Sequence, residues 1–192
     1  GYMNDALFYA EVADGKKTND ELTFSDTDMK ACGITTIADI ELSFHIYDDD
    51  LDTYLDTEAV EIKTSAYEGF EYTYDDSGTL AYEGNGIKIV VRGLTDSSIF
   101  GPGILFYIYN TSNKNITITT KDVSVNGFMI SDLFYIKVLA GKHAVEAATL
   151  MSSDLDENDI EDIESVELYF HISDADSWNS IADTEPVKIN FD

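Results

Sequence analysis

Apolar and polar residues alternate with a period of two along most of this chain, the signature of strands with one buried face. The cleanest case is Val166-Glu167-Leu168-Tyr169-Phe170-His171-Ile172. Ile87–Arg92 is rich in β-branched residues and lies between Gly86 and Gly93. Ile104–Tyr109 follows Gly101-Pro102-Gly103 and runs into the polar turn cluster Asn110-Thr111-Ser112-Asn113. Ile116–Val125 ends at Asn126-Gly127, a strong hairpin signal. Phe134–Val138 and Val187–Phe191 complete the predicted strands. Pro102 and Pro186 fall at strand starts, where a missing N–H is tolerated. Phe70-Glu71-Tyr72-Thr73-Tyr74-Asp75 alternates well enough to predict an extra edge strand. Only Ser152-Ser153-Asp154-Leu155 and Ser25-Asp26-Thr27-Asp28-Met29 offer an N-cap residue ahead of an apolar position, predicting at most a turn of helix.

The pattern recurs. Gly1-Tyr2-Met3 matches Gly127-Phe128-Met129, and Leu7-Phe8-Tyr9 matches Leu133-Phe134-Tyr135. Gly15-Lys16 matches Gly141-Lys142, and Glu41-Leu42-Ser43-Phe44-His45-Ile46 matches Glu167-Leu168-Tyr169-Phe170-His171-Ile172, all at an offset of 126. An insertion near Ser177-Trp178 moves the offset to 127, where Asp56-Thr57-Glu58 meets Asp183-Thr184-Glu185. A self-match of this length defines a repeat unit. Residues 1–65 then read as the C-terminal half of one unit, 66–85 as a linker or edge strand, and 86–192 as a complete unit. The expectation is that the chain starts within a unit of a longer repeat protein. The fold class is all-β, and short strands with regular turn signals point to a β-sandwich.

A half-unit is physically awkward. Leu7 and Tyr9, Leu42, Phe44 and Ile46, and Val60 and Ile62 give each of its strands one apolar face, which alone would leave that face and the strand edges open. Residues 1–65 could pair with strands 86–125 and leave 127–192 to a second chain. A homodimer through the half-unit or a domain swap is therefore an expected partner arrangement.

Charge narrows the partners. Of 192 residues, 11 are Lys or Arg and 38 are Asp or Glu, a formal net charge of −27. Such a surface repels phosphate backbones and anionic membranes, so nucleic acid is excluded as an expected partner. An apolar share of 44% provides for a core, so the acidity does not imply disorder. No apolar run approaches a membrane span, and no secretory leader is present; an exported protein with this sequence would be a mature form or a piece of one. Cys32 stands alone, with Asn158 as its repeat counterpart, which rules out an internal disulfide and argues against a required thiol.

Candidate chemistry is sparse. Asp48, Asp50 and Asp52, in Asp48-Asp49-Asp50-Leu51-Asp52, are the candidate metal ligands, with calcium as the cation, since clustered carboxylates suit a hard ion. The glycine and terminal glutamate of an EF-hand loop are missing, and the counterpart Asp174-Ala175-Asp176 keeps fewer carboxylates. Given that mismatch, a solvated acidic loop is the favoured reading of the run. No other cofactor is implied. His45 and His171 stand at equivalent places between inward apolar residues and read as outward strand positions; His143, opposite Lys17, reads as surface. Tyr72, Tyr74 and Tyr82 could stack on sugar rings or line an edge strand. No nucleophile elbow, phosphate loop or catalytic triad spacing occurs, and no catalytic residue is assigned.

Gly86-Ile-Lys-Ile-Val, Tyr109-Asn110-Thr-Ser-Asn-Lys-Asn-Ile, Val125-Asn126-Gly127 and Ala140-Gly141-Lys142, in that order, resemble the Ig-like domains of unknown function in secreted proteins and lipoproteins of Gram-positive, often gut-dwelling, bacteria. The resemblance covers 86–192 and, as a half copy, 1–65. It implies an immunoglobulin-like sandwich, an extracellular or cell-surface location and no known enzyme activity. Its motifs are structural and carry no functional residues across. The expected role is a non-enzymatic module for structure, adhesion or binding of an extracellular protein or glycan. The alternative is a carbohydrate-binding module assisted by calcium.

Overall fold

The computed structural model describes residues 1–4, 8–48, 50 and 52–191. In chain order its elements are α1 (Asp26–Ala31), β1 (Asp39–Leu42), β2 (His45–Tyr47), β3 (Thr53–Asp56), β4 (Val60–Lys63), β5 (Thr79–Gly84), β6 (Ile87–Ser98), β7 (Gly101–Asn110) and β8 (Ile116–Val125). They continue with β9 (Phe128–Met129), β10 (Asp132–Leu133), β11 (Tyr135–Val138), β12 (His143–Leu150), α2 (Ser152–Glu157), β13 (Ser165–Asp174), β14 (Ser180–Asp183) and β15 (Val187–Asn190). The protein is all-β with antiparallel sheets. The chain divides into two compact units, residues 1–32 with 75–192 and residues 33–74.

In the first unit a five-stranded sheet, β10-β12-β7-β6-β5, and a six-stranded sheet built on β11-β8-β13-β14 enclose one core. Alternation decides which side chains enter it. Ile104, Phe106 and Ile108 of β7 and Leu168, Phe170 and Ile172 of β13 are all fully buried. Each such side chain is worth about 1.5–3 kcal/mol relative to exposure. Phe106 meets Phe134 and Phe170 edge-on, with ring centroids 5.4 Å apart in both pairs, the arrangement favoured by aromatic quadrupoles. β8 pairs with β13 of the same chain, Ile118 opposite Ile172 and Val125 opposite Val166. The exchange in which residues 1–65 take strands 86–125 is thus not the arrangement found.

Two turn signals are explained by their geometry. Asn126 and Gly127 adopt φ +50° and +88°, the left-handed pair a tight hairpin between β8 and β9 requires. Asn110, fully buried at the end of β7, donates from Nδ2 to the carbonyls of Lys114 (2.8 Å) and Val138 (3.0 Å). Its Oδ1 accepts from the Ser112 N–H and hydroxyl. The Asn-Thr-Ser-Asn cluster is therefore a satisfied polar turn that carries the chain from one sheet to the other.

The edge strand is β5, at 79–84, and not the alternating stretch 70–75, which forms no strand. β12 is a strand that the pattern does not predict. Its alanines have low strand propensity, yet Ala144 and Ala148 are buried and pair with Ile108 and Ile104. Both helices form, each six residues long and so longer than the single turn expected, and only α1 has the expected N-cap. Ser25 Oγ accepts from the Asp28 N–H at 3.3 Å, whereas α2 starts from Met151 with no side-chain cap.

In the second unit β1 pairs with β4 and β2 with β3. The registers correspond to those of β13 with β15 and β14. Ile40↔Ile62 and Leu42↔Val60 answer Val166↔Ile189 and Leu168↔Val187. His45↔Asp56, Ile46↔Leu55 and Tyr47↔Thr53 answer His171↔Asp183, Ile172↔Ala182 and Ser173↔Ser180, with the irregularity at the same step.

Candidate functional site

The acidic loop is held by its own backbone. Asp48 Oδ1 accepts from the N–H groups of Asp50 and Asp52, 3.0 Å each, and the Asp48 N–H donates to the Asp52 carbonyl. Asp174 does the same for Asp176 and Ser177, also at 3.0 Å. The first aspartate of each loop is thus an Asx-type turn former. Asp50 and Asp52 contribute backbone donors to that turn. Asp49 and Leu51 lie outside the described residues, as does Leu7. Among the described residues no group of three or more His, Cys, Asp or Glu is placed to hold a metal.

Asp174 is nearly buried, and Lys114 Nζ reaches its Oδ2 at 2.8 Å. That hydrogen bond, with the two loop N–H groups, holds its carboxyl well below the usual carboxylate range. Lys121 bonds Asp183 Oδ1 at 2.9 Å, and His171 Nδ1 lies 2.7 Å from the same atom. Lys121 first and His171 second bring Asp183 down to about 2. His45 and Asp56 repeat the His–Asp contact. The Phe170 N–H donates to Thr184 Oγ1 at 2.9 Å, and the Phe44 N–H to Thr57 Oγ1 at 2.8 Å. These polar groups clip a strand crossing; they do not converge on a cavity. The lysine pairs are missed by sequence reading because Lys114 and Asp174 are far apart along the chain. A signal did exist: Asp48 equals Asp174 and Asp56 equals Asp183 across the repeat.

His143 is a correction. Its match to Lys17 predicts surface, but it is 6% exposed. Tyr107 Oη lies 2.6 Å from its Nδ1, and Tyr109 stacks on it at 3.9 Å with 6° between planes. Tyr2 packs edge-on at 5.9 Å. The covering comes from the N-terminal segment, whose Met3 N–H donates to the His143 carbonyl while the His143 N–H donates to the Gly1 carbonyl. Burial lowers the imidazole to about 4, so it is neutral near pH 7.

Cys32 caps α1 by donating its N–H to the Asp28 carbonyl. It is buried, and burial followed by Asp28 raises the thiol to about 11, which suppresses thiolate chemistry. Arg92, bonded to the Ala31 carbonyl at 2.9 Å and to Asp75 at 2.7 Å, anchors the same segment.

Of the candidate sugar-stacking residues, Tyr72 and Tyr74 belong to the second unit and Tyr82 to the first. Tyr72 is 44% exposed, packs edge-on against Phe70, and is raised to about 12 by its hydrogen bond to Asp39. Tyr82 packs against the core, its hydroxyl accepting from Asn85 Nδ2. An exposed aromatic that the pattern does not single out is Trp178, 67% exposed at φ +59° in the turn between β13 and β14. A shallow groove of about 590 Å³ runs between β5 and the β14–β15 connection, lined by Leu80, Tyr82, Pro186 and Val187 among others.

No protein-family model and no curated protein matches this chain. It is similar to a solved structure described as a FixG-related protein from Vibrio parahaemolyticus, over 56% of this chain and 95% of that one. The identity is 14% and the TM-score 0.32, which carries no argument about fold or function.

Proposed function

We propose that this chain is a non-enzymatic extracellular or cell-surface module with an immunoglobulin-like β-sandwich, serving a structural, adhesive or partner-binding role. The observation behind this reading is that the same ladders and polar clips occur at an offset of 126–127 residues, down to the bulge between β2 and β3. A unit repeated with its structural bonds intact is a scaffold element. The titratable groups with the largest shifts, Asp174, His143, Cys32, Tyr72 and Asp183, are engaged in turns, strand clips, packing and a local side-chain hydrogen bond. The net charge of −27 favours solubility at a surface exposed to solvent. The test is labelling of intact source cells with an antibody to this chain. Labelling without permeabilisation is expected; signal only after lysis would reject the location, and with it the role.

A carbohydrate-binding role, with calcium assistance, is the second reading, favoured by exposed Trp178 beside the Asp174–Asp176 turn. Aromatic rings offered to solvent can stack on sugar faces. A glycan array run with calcium and with chelator decides it: binding lost in W178A supports this reading, and an array without hits removes it.

A further inference from the structure

Asn-Gly occurs twice in the chain, at Asn85-Gly86 and at Asn126-Gly127. Each pair makes a two-residue hairpin turn, between Gly84 and Ile87 and between Val125 and Phe128. Positive φ runs through both, +52° and +77° at the first and +50° and +88° at the second. Such a turn asks for these residues. The backbone is therefore shared, and the difference lies in how each asparagine side chain is held. Asn126 is half-buried and uses its whole amide. Its Nδ2 donates to the Asp162 carbonyl at 2.8 Å, and its Oδ1 accepts from the N–H groups of Glu164 and Ser165, 3.0 Å each. Asn85 is exposed, and among the described residues its amide makes one hydrogen bond, from Nδ2 to Tyr82 Oη at 3.1 Å. Gly86 is exposed as well, and the lack of a Cβ leaves its nitrogen open to close approach.

We infer that Asn85-Gly86 is a site of self-modification, in which the Gly86 nitrogen displaces the Asn85 amide and the ring so formed opens to an aspartyl or isoaspartyl residue, while Asn126-Gly127 is protected. The Gly86 N–H gives its proton to solvent base, and the nitrogen bonds to Cγ of Asn85. The Cγ–Nδ2 bond breaks, and Nδ2 leaves as ammonia with a proton returned by solvent. Water then adds to either ring carbonyl. Opening at Cγ restores the backbone with aspartate at position 85. Opening at the backbone carbonyl carbon routes the chain through Cβ and Cγ, as isoaspartate. The sum is amide plus water giving carboxylic acid plus ammonia, with no change of oxidation state. At Asn126 the same attack must first break three hydrogen bonds and leave two N–H groups without their acceptor.

The conversion acts on the edge of the first unit. Asn85 lines the shallow groove together with Tyr82, Asp183 and Glu185, so a new carboxylate adds negative charge to a wall that is already acidic. β5 has β6 as its one strand partner among the described residues. The Gly86 carbonyl accepts from the Thr111 N–H at 2.7 Å and from Thr111 Oγ1 at 2.8 Å, which ties the turn to the residue after β7. An isoaspartyl residue lengthens the turn by a backbone carbon, and a two-residue loop cannot absorb that while keeping both the β5–β6 register and the tie to Thr111.

The experiment holds the folded full chain at mildly alkaline pH in water enriched in heavy oxygen and maps its peptides by mass spectrometry. The peptide containing Asn85 is expected to lose ammonia and take up solvent oxygen, in both isomeric forms. Asn126 is expected to react at least about 10-fold more slowly, since two further hydrogen bonds must break there. In urea the two sites are expected to react alike. Equal rates in the folded chain would overturn the inference, as would an Asn85 that reacts in urea but not when folded. N85Q, whose longer side chain disfavours the ring, is expected to abolish uptake at this turn; uptake undiminished in N85Q would mean that another residue is the source and would likewise overturn it. The separated isoaspartyl protein is expected to exchange the amides of 79–84 faster than the unconverted protein, with N85D close to the unconverted rates. Exchange unchanged in the isoaspartyl protein would refute the effect on β5.

Discussion

Two stretches of this molecule share a sequence pattern and a strand register but differ in what surrounds them. Phe170 and Phe44 each donate a backbone N–H to a threonine hydroxyl and sit one residue before a histidine that contacts an aspartate. Phe170 is fully buried against Phe106, while Phe44 is 40% exposed. Local sequence therefore suffices for the hairpin and its polar clips. The burial of Phe170 comes from β7 and β8. The difference separates what a strand pattern encodes from what a neighbouring sheet supplies.

The largest expected effect follows directly. Phe170→Ala removes a ring packed among Phe106 and the core of both sheets and is expected to cost about 3–5 kcal/mol in urea unfolding. Phe44→Ala is expected to cost under about 1 kcal/mol, as for other half-exposed positions. Equal losses at the two sites would mean that the face of the half copy is already covered in solution.

Amide exchange sharpens the same contrast without mutation. Amides of Val166–Ile172 have ladder partners on both edges and a closed core beneath, so they are expected to exchange only through unfolding of the first unit. Amides of 40–46 are expected to exchange through local opening, far faster. A single rate class across both stretches would break the comparison.

These pairs also show how much was legible beforehand. β13 was readable because both its faces obey one period, and the Asn126-Gly127 turn because left-handed φ values demand such residues. β12 was not, since its alanines are held in place by pairing with β7 and not by their own preference. The alternation at 70–75 forms no strand. The acidic candidates were visible as a charge run, but Asp48 is spent on a turn, a geometry invisible in composition. The lysine clips join residues brought together only by sheet formation.

His143 and Lys17 extend the comparison to a position where the copies differ in residue as well as setting. The His143 imidazole is lowered from 6.5 to about 4 by burial. Between those values the unfolded chain binds more protons than the folded one. Its contribution is thus complete above about pH 6.5 and is lost as pH falls towards 4. Urea midpoints measured from pH 7 to 5, where most carboxylates stay ionised, should decline in the parent and flatten in H143Q. A parent profile that is flat over that range would contradict the buried neutral imidazole.

The smallest expected effect is at the acidic clip. Asp183 is lowered from 3.8 to about 2, chiefly by Lys121 and then by His171. Its sign follows from the folded value lying below the unfolded one. Stability from the ionised carboxylate is present above about pH 3.8 and disappears as pH falls towards 2. Lys121→Met removes the principal cause, so Asp183 should titrate closer to an ordinary aspartate and the acid limb over that interval should become shallower. The group is exposed, which keeps the change small and sensitive to salt. Asp56, which pairs with His45 and has no lysine partner among the described residues, provides the control: D56N is expected to leave stability within about 0.5 kcal/mol. If K121M leaves the titration of Asp183 where it was, as followed by carboxyl NMR shifts, then the lysine is not what distinguishes the two copies at this position.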